Sequence, residues 1–166
     1  MEQKEQLLKK REEDIRHLQD EILELSTPVI EVWDGIVALP LVGTLDSHRA
    51  HSAMQRLLES IEHTRSAFVI IDITGVPTVD SVVASHVLQT AAAVRLMGCE
   101  TILTGVGPHI ARVISEGEVG LDNIIVRARM TDGLHYAIGK LAERKERMER
   151  VASLIDVAGS PSGRKK

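Results

Sequence analysis

An α/β domain preceded by a coiled-coil helix is the fold class this sequence predicts, and three observations predict it. From residue 29 onward, short runs rich in Val and Ile alternate with amphipathic stretches, the pattern of strands joined by helices. The first 25 residues instead place apolar side chains seven apart. Aromatic residues make up only 2% of a chain that is 43% hydrophobic, so Val, Ile, Leu and Ala must build the core, which suits strands covered by helices.

Each element has a local cause. Met1, Leu8, Ile15 and Ile22 recur every seven residues, and Leu18 and Leu25 fill the intervening positions of the same stripe; Lys4 and Arg11 interrupt its early part. Such a helix extends roughly 35 Å. Its narrow apolar seam suits pairing with a second copy better than folding back onto its own domain. Pro28 ends it, with Ser26 and Thr27 as a short joint. Val29 to Trp33 and Ile36 to Val42 read as strands joined at Asp34-Gly35, a hairpin signal, and Pro40 marks the second as irregular or near an edge toward its end. Asp46 and Ser47 suit the start of a helix through Ile61, with Ala50, Ala53, Met54, Leu57, Leu58 and Ile61 at helical spacing. Ala67 to Ile73 is the third strand, and Val82 to Met97 a long helix, uncharged apart from Arg95, stopped by Gly98. Thr101 to Thr104 is a short strand. Pro108 suits the first turn of a helix over 109–116, Ile124 to Val126 is a last strand, and Thr131-Asp132 starts a helix apolar at Leu134, Ala137, Ile138 and Leu141. The domain order is β-β-α-β-α-β-α-β-α, which requires mostly parallel pairing. Residues 1–27, 28–145 and 146–166 are thus expected to be a heptad helix, the folded domain, and a charged extension fading into a disordered tail (VAGSPSGRKK).

Bulk properties narrow the function. A net charge of −4 and three aromatic residues argue against a nucleic-acid surface built on phosphate contacts or base stacking. The single cysteine, Cys99, has no partner for a disulfide and reads as a small buried apolar residue. The N-terminus is charged throughout and no window has the apolar length of a membrane span, so the expected compartment is the cytoplasm. Of seven histidines, His48 and His51 lie three apart on one helix without an evident third ligand, and His86 and His109 look isolated; no metal or cofactor is expected.

The stretch Phe68 to Ser81, FVIIDITGVPTVDS, concentrates the functional signal. A buried strand ends in Asp72, a Gly75/Pro77 turn follows, and Asp80-Ser81 opens a helix. A serine presented at that rigid corner is either an ordinary cap or an acceptor for a partner enzyme's phosphate. Asp72 and Asp80 could hold a magnesium ion, as in response-regulator receivers. A receiver also needs an acidic pair after its first strand and a lysine after a later one, but Asp34 stands alone and no lysine lies between Lys10 and Lys140. The two aspartates are better suited to fixing the loop through its N–H groups. Gly105-Val106-Gly107-Pro108 lacks the P-loop lysine and reads as a structural turn. No catalytic constellation is found.

With these residues in view, the chain resembles a STAS domain (sulphate transporter and anti-sigma factor antagonist). IIDITGVPTVDS, VRLMGCETILTGV, PHIA and PLVGTLDSHRA, spread over roughly residues 28–142, carry the resemblance, in particular to the C-terminal domain of the RsbR stressosome proteins. It implies a mixed sheet with helices mainly on one face and a non-enzymatic scaffold that forms homodimers. It further implies assembly with an RsbS-like STAS scaffold into a large shell that sequesters an RsbT-like serine/threonine kinase. The implied phosphoacceptor is Ser81, with Asp72, Thr74, Gly75, Thr78 and Asp80 as the kinase-docking loop. A second acceptor of some members, a threonine, falls on or near Val113, where Ser115 is the nearest hydroxyl; Leu8, Ile15, Leu18, Ile22 and Leu25 correspond to a paired linker helix. That linker usually follows a sensory domain, so this chain reads as a scaffold without its own input or as a fragment. The alternative is a free anti-anti-sigma factor that binds an anti-sigma kinase directly.

Overall fold

The computed structural model describes residues 1–117 and 120–159, apart from the side chains of residues 20 and 23–26. Five strands form one mixed sheet in the order β1-β2-β3-β4-β5. β1 (Ile30–Trp33) runs antiparallel to β2 (Ile36–Val42), while β3 (Phe68–Gly75), β4 (Glu100–Thr104) and β5 (Ile124–Arg127) continue parallel to β2. Gly35 makes the β1–β2 hairpin with φ +84°, a left-handed conformation that glycine adopts without steric cost. Pro40 does not lie on an edge strand, because β2 is second in the sheet. β1 reaches only to the Ile30–Ala38 pair, however, so Pro40 lies where that neighbour has ended, next to a register shift.

Period-two alternation gives the sheet two buried faces. Val37, Leu39, Leu41, Val69, Ile71, Ile73 and Leu103 point to one side. There they meet α2 (Ser47–Thr64) through Ala53, Met54, Leu57 and Ile61, α3 (Ser81–Leu96) through Val83, Val87 and Val94, and α4 (Pro108–Glu116) through Ile110. The intervening residues Ile36, Ala38, Phe68, Ile70 and Ile102 point to the other side and are covered by α5 (Met130–Gly159) through Ala137, with Leu134, Ile138 and Leu141 packed around it. Three of the four domain helices therefore share one face. Full burial of each large aliphatic side chain is worth roughly 1.5–3 kcal/mol, so the faces are fixed by many such contributions together.

The leader forms α1 (Glu2–Ser26), fully exposed wherever its side chains are described; Leu25, part of the expected stripe, has its side chain outside the described residues. At the other end, α5 runs through the charged stretch to Gly159, beyond the point at Val157 where sequence composition suggested a tail. Glu, Arg, Met and Ala are strong helix formers, and the Arg150–Glu146 pair at 3.9 Å supports the exposed turns. Residues 160–166 lie outside the described residues. No helix among the described residues is long and apolar enough to cross a membrane.

Candidate functional site

Parallel strands bring their carboxyl ends to one edge of the sheet, and the loops after β2, β3 and β4 meet there. Asp72 is the anchor. Its carboxylate, 9% exposed, accepts a hydrogen bond from the Thr104 hydroxyl at 2.5 Å, from the Thr74 N–H at 3.2 Å and from the Thr74 hydroxyl at 3.2 Å. Thr104 stands opposite Asp72 in the parallel β3–β4 register, so the two strands are tied at their ends. Asp72 thus turns inward and holds the loop, as expected of a loop-fixing aspartate, while Thr74, Gly75, Thr78 and Asp80 of the same group are exposed. Gly105 locks the next loop against this one. It has φ +76°, and a Cβ there would lie 2.1 Å from the Thr74 Oγ1 and 2.6 Å from its backbone nitrogen. Its N–H donates to the Ala128 carbonyl at 3.1 Å.

The chain then enters α3. Asp80, with extended backbone (φ −86°, ψ 172°), is the N-cap, and its carboxylate accepts the Val83 N–H at 2.8 Å. Ser81 is therefore the first helical residue, and capping does not account for its side chain. Its backbone carbonyl accepts from the Ser85 hydroxyl at 2.9 Å, whereas its own hydroxyl has no hydrogen-bond partner among the described residues and the residue is exposed. Ser81 and Ser85 stand at the rim of a groove between α3 and α4, floored by Ala84, Leu88, Val113 and Ile114 and closed by Glu116 and Gly117. Chemically, the corner offers one unengaged hydroxyl at the positive end of a helix, on a loop fixed by an internal carboxylate.

The other sequence candidates fall elsewhere. Ser115 lies in the last turn of α4, exposed, with its hydroxyl donating to the Arg112 carbonyl at 2.9 Å. It does not line the groove; Val113 does. His86 is not isolated, because its ring meets that of His51 edge-on across α2 and α3 with centroids 6.4 Å apart. Among the described residues no group of three or more His, Cys, Asp or Glu side chains could hold a metal ion. Cys99 is wholly buried, and burial, reinforced by the neighbouring Glu100 charge, pushes its thiol up to about 12, leaving the nucleophilic thiolate disfavoured. Sequence reading missed Thr104 and the α3–α4 groove. The first was signalled by its place at the end of the strand beside Asp72; the second depends on how α4 leans, which no local pattern specifies.

Fold and corner together define a class, and the STAS domain family model matches residues 27–136: the chain belongs to the STAS domain family. It is similar to the RsbT co-antagonist protein RsbRA of Bacillus subtilis, at 42% identity over 122 residues, which make up 74% of this chain and 44% of that protein. The chain thus spans less than half the length of this relative. Among solved structures, a serine-to-glutamate variant of Moorella thermoacetica RsbS matches with a TM-score of 0.62 and 24% identity, covering 70% of this chain and 97% of the other. A chain from a structure describing the molecular architecture of the stressosome matches with a TM-score of 0.57 and 21% identity, covering 69% of this chain and 98% of the other. At these identities the two structures establish the shared fold.

Proposed function

We propose that this chain is the STAS portion of an RsbR-type stressosome scaffold, a non-enzymatic cytoplasmic protein that sequesters an RsbT-like serine/threonine kinase and is phosphorylated by it on Ser81. The exposed, unengaged Ser81 hydroxyl at the entry to α3 is the observation that carries this reading. Its support from relatives is the 42% identity to a protein named as an RsbT co-antagonist. In this reading the chain pairs with a second copy through its leader stripe and assembles with an RsbS-like STAS scaffold into a larger particle. The kinase docks on Thr74, Gly75, Thr78 and Asp80 and along the groove beside them. Phosphorylation adds close to two negative charges beside Asp80, partly offset by the N–H groups of the first turn of α3. The charge alters kinase docking while the fold is retained, and regulation of a general stress response through a sigma factor follows from kinase release.

Incubation of the full chain with an RsbT-type kinase and ATP, followed by phosphosite mapping, tests the assignment. Phosphate is expected on Ser81, lost in Ser81→Ala and retained in Ser115→Ala. A Ser81→Ala protein that still takes up phosphate at this corner refutes it. Light scattering after size exclusion, with and without an RsbS-type partner, tests the scaffold role: megadalton particles support it, and dimers in both arms point to a free antagonist.

A further inference from the structure

Two helices leave the domain with an apolar stripe uncovered. On α1, Leu8 is 53% exposed, and Leu7, beside the stripe, 55%. α5 is held to the domain as far as Arg144, whose guanidinium pairs with Glu100 at 3.2 Å and lies 4.9 Å from the centre of the Phe68 ring. Beyond that point the helix overhangs by about 22 Å. The spacing that packs Leu134, Ala137 and Leu141 on the sheet continues through Met148, Val151 and Ile155, which are 73%, 50% and 65% exposed. Leu154, on the flank of this stripe, is 68% exposed.

Charge separates the two stripes. Glu5, Glu12, Asp14 and Glu21 flank the one on α1, whereas Lys145 and Arg147 flank the overhanging part of the one on α5. The early half of α1 is poorly matched to itself. In a parallel, in-register pair Lys4 and Arg11 of the seam meet their own copies, and an antiparallel pair brings Glu12 and Asp14 against their own copies.

We propose that the α5 overhang, residues 145–159, is the docking surface for the first half of α1 from a second copy of this chain, laid antiparallel and exchanged reciprocally about a two-fold axis. In that arrangement Leu8 faces Val151, Arg11 faces Met148 and Lys4 faces Ile155 near Asp156. Asp14 meets Arg147, Glu12 meets Lys145, and the two off-stripe leucines, Leu7 and Leu154, cover one another. Ile15, Leu18 and Ile22 remain free for the leader pairing proposed above. The exchange rests on that dimer reading and names the surface it uses on the partner.

Sedimentation equilibrium of the full chain tests it. Glu12→Lys/Asp14→Lys and Lys145→Glu/Arg147→Glu each place like charges together, and each is expected to raise the dimer dissociation constant roughly tenfold or more. Circular dichroism should match wild type, since all four residues are exposed. An equimolar mixture of the two variants should recover wild-type affinity as a heterodimer, because both exchanged contacts are then complementary. Wild-type dimerisation by Lys145→Glu/Arg147→Glu, or a mixture that stays weak, overturns the exchange and leaves leader pairing standing. A wild-type chain that is monomeric at every concentration overturns both.

Discussion

Ser81 and Ser115 are exposed serines on neighbouring helices, and they sit at opposite ends of their helices. Ser81 opens α3, where unpaired N–H groups and the helix dipole favour added negative charge. Ser115 lies in the last turn of α4, where the carbonyl end disfavours it and Glu116 adds repulsion. Their hydroxyls differ in the same sense: that of Ser115 is engaged with the Arg112 carbonyl, and that of Ser81 is unengaged among the described residues. Two exposed serines thus offer unequal places for added negative charge because of helix polarity, which exposure alone does not reveal.

The largest way to break this contrast is to unfasten both corners at once. Gly105 belongs to the loop that leads into α4 but abuts Thr74 at the end of β3, just before the loop that leads into α3. Gly105→Ala puts a methyl group into the Thr74 backbone at a left-handed φ, and is expected to cost about 3 kcal/mol or more, read as a lower urea midpoint. Phosphorylation of the folded remainder should slow as well, since the Ser81 loop shifts with it. A variant of wild-type stability would show that the two corners are not coupled.

A smaller test exchanges the caps. α3 has a side-chain cap in Asp80, whereas α4 starts at Gly107 with extended backbone, no side-chain cap and open space where a Cβ would sit. Asp80→Ala is expected to lose about 1 kcal/mol, and Gly107→Asp to gain a few tenths, both by chemical denaturation. Loss from Gly107→Asp would mean that something other than a missing cap sets the start of α4.

Much of this contrast was legible in the sequence, for identifiable reasons. Strands and helices follow from apolar period, so the α/β order, the Asp34-Gly35 hairpin and the stop at Gly98 could be read directly. The aspartates could be read as loop-fixing because short carboxylates bond nearby N–H groups, and both do so. Hidden from view were relations between segments far apart in sequence: the Thr104 bond to Asp72, the approach of Gly105 to Thr74, and the His51–His86 contact. The pattern Asp-Ser also leaves open which residue caps; only the backbone at Asp80 separates cap from first helical residue. Composition set the start of the tail at Val157 from its Gly, Ser and Pro content, whereas α5 runs on to Gly159; such content marks a helix end only to within a few residues.

The finest test isolates helix polarity itself. Glutamate at each serine adds one charge without a kinase. At Ser81 the dipole of α3 favours the charge by about 0.3–1 kcal/mol, and the neighbouring Asp80 takes back part of that, so Ser81→Glu should be neutral to slightly stabilising. At Ser115 both effects oppose the charge, so Ser115→Glu should destabilise by a similar few tenths. Thermal melts at low and high salt separate these contributions: the difference between the variants should shrink as salt screens the exposed charges. Equal melting temperatures at low salt would leave the two ends electrostatically alike, and the proposed preference for Ser81 would then have to rest on the groove beside it rather than on the helix it opens.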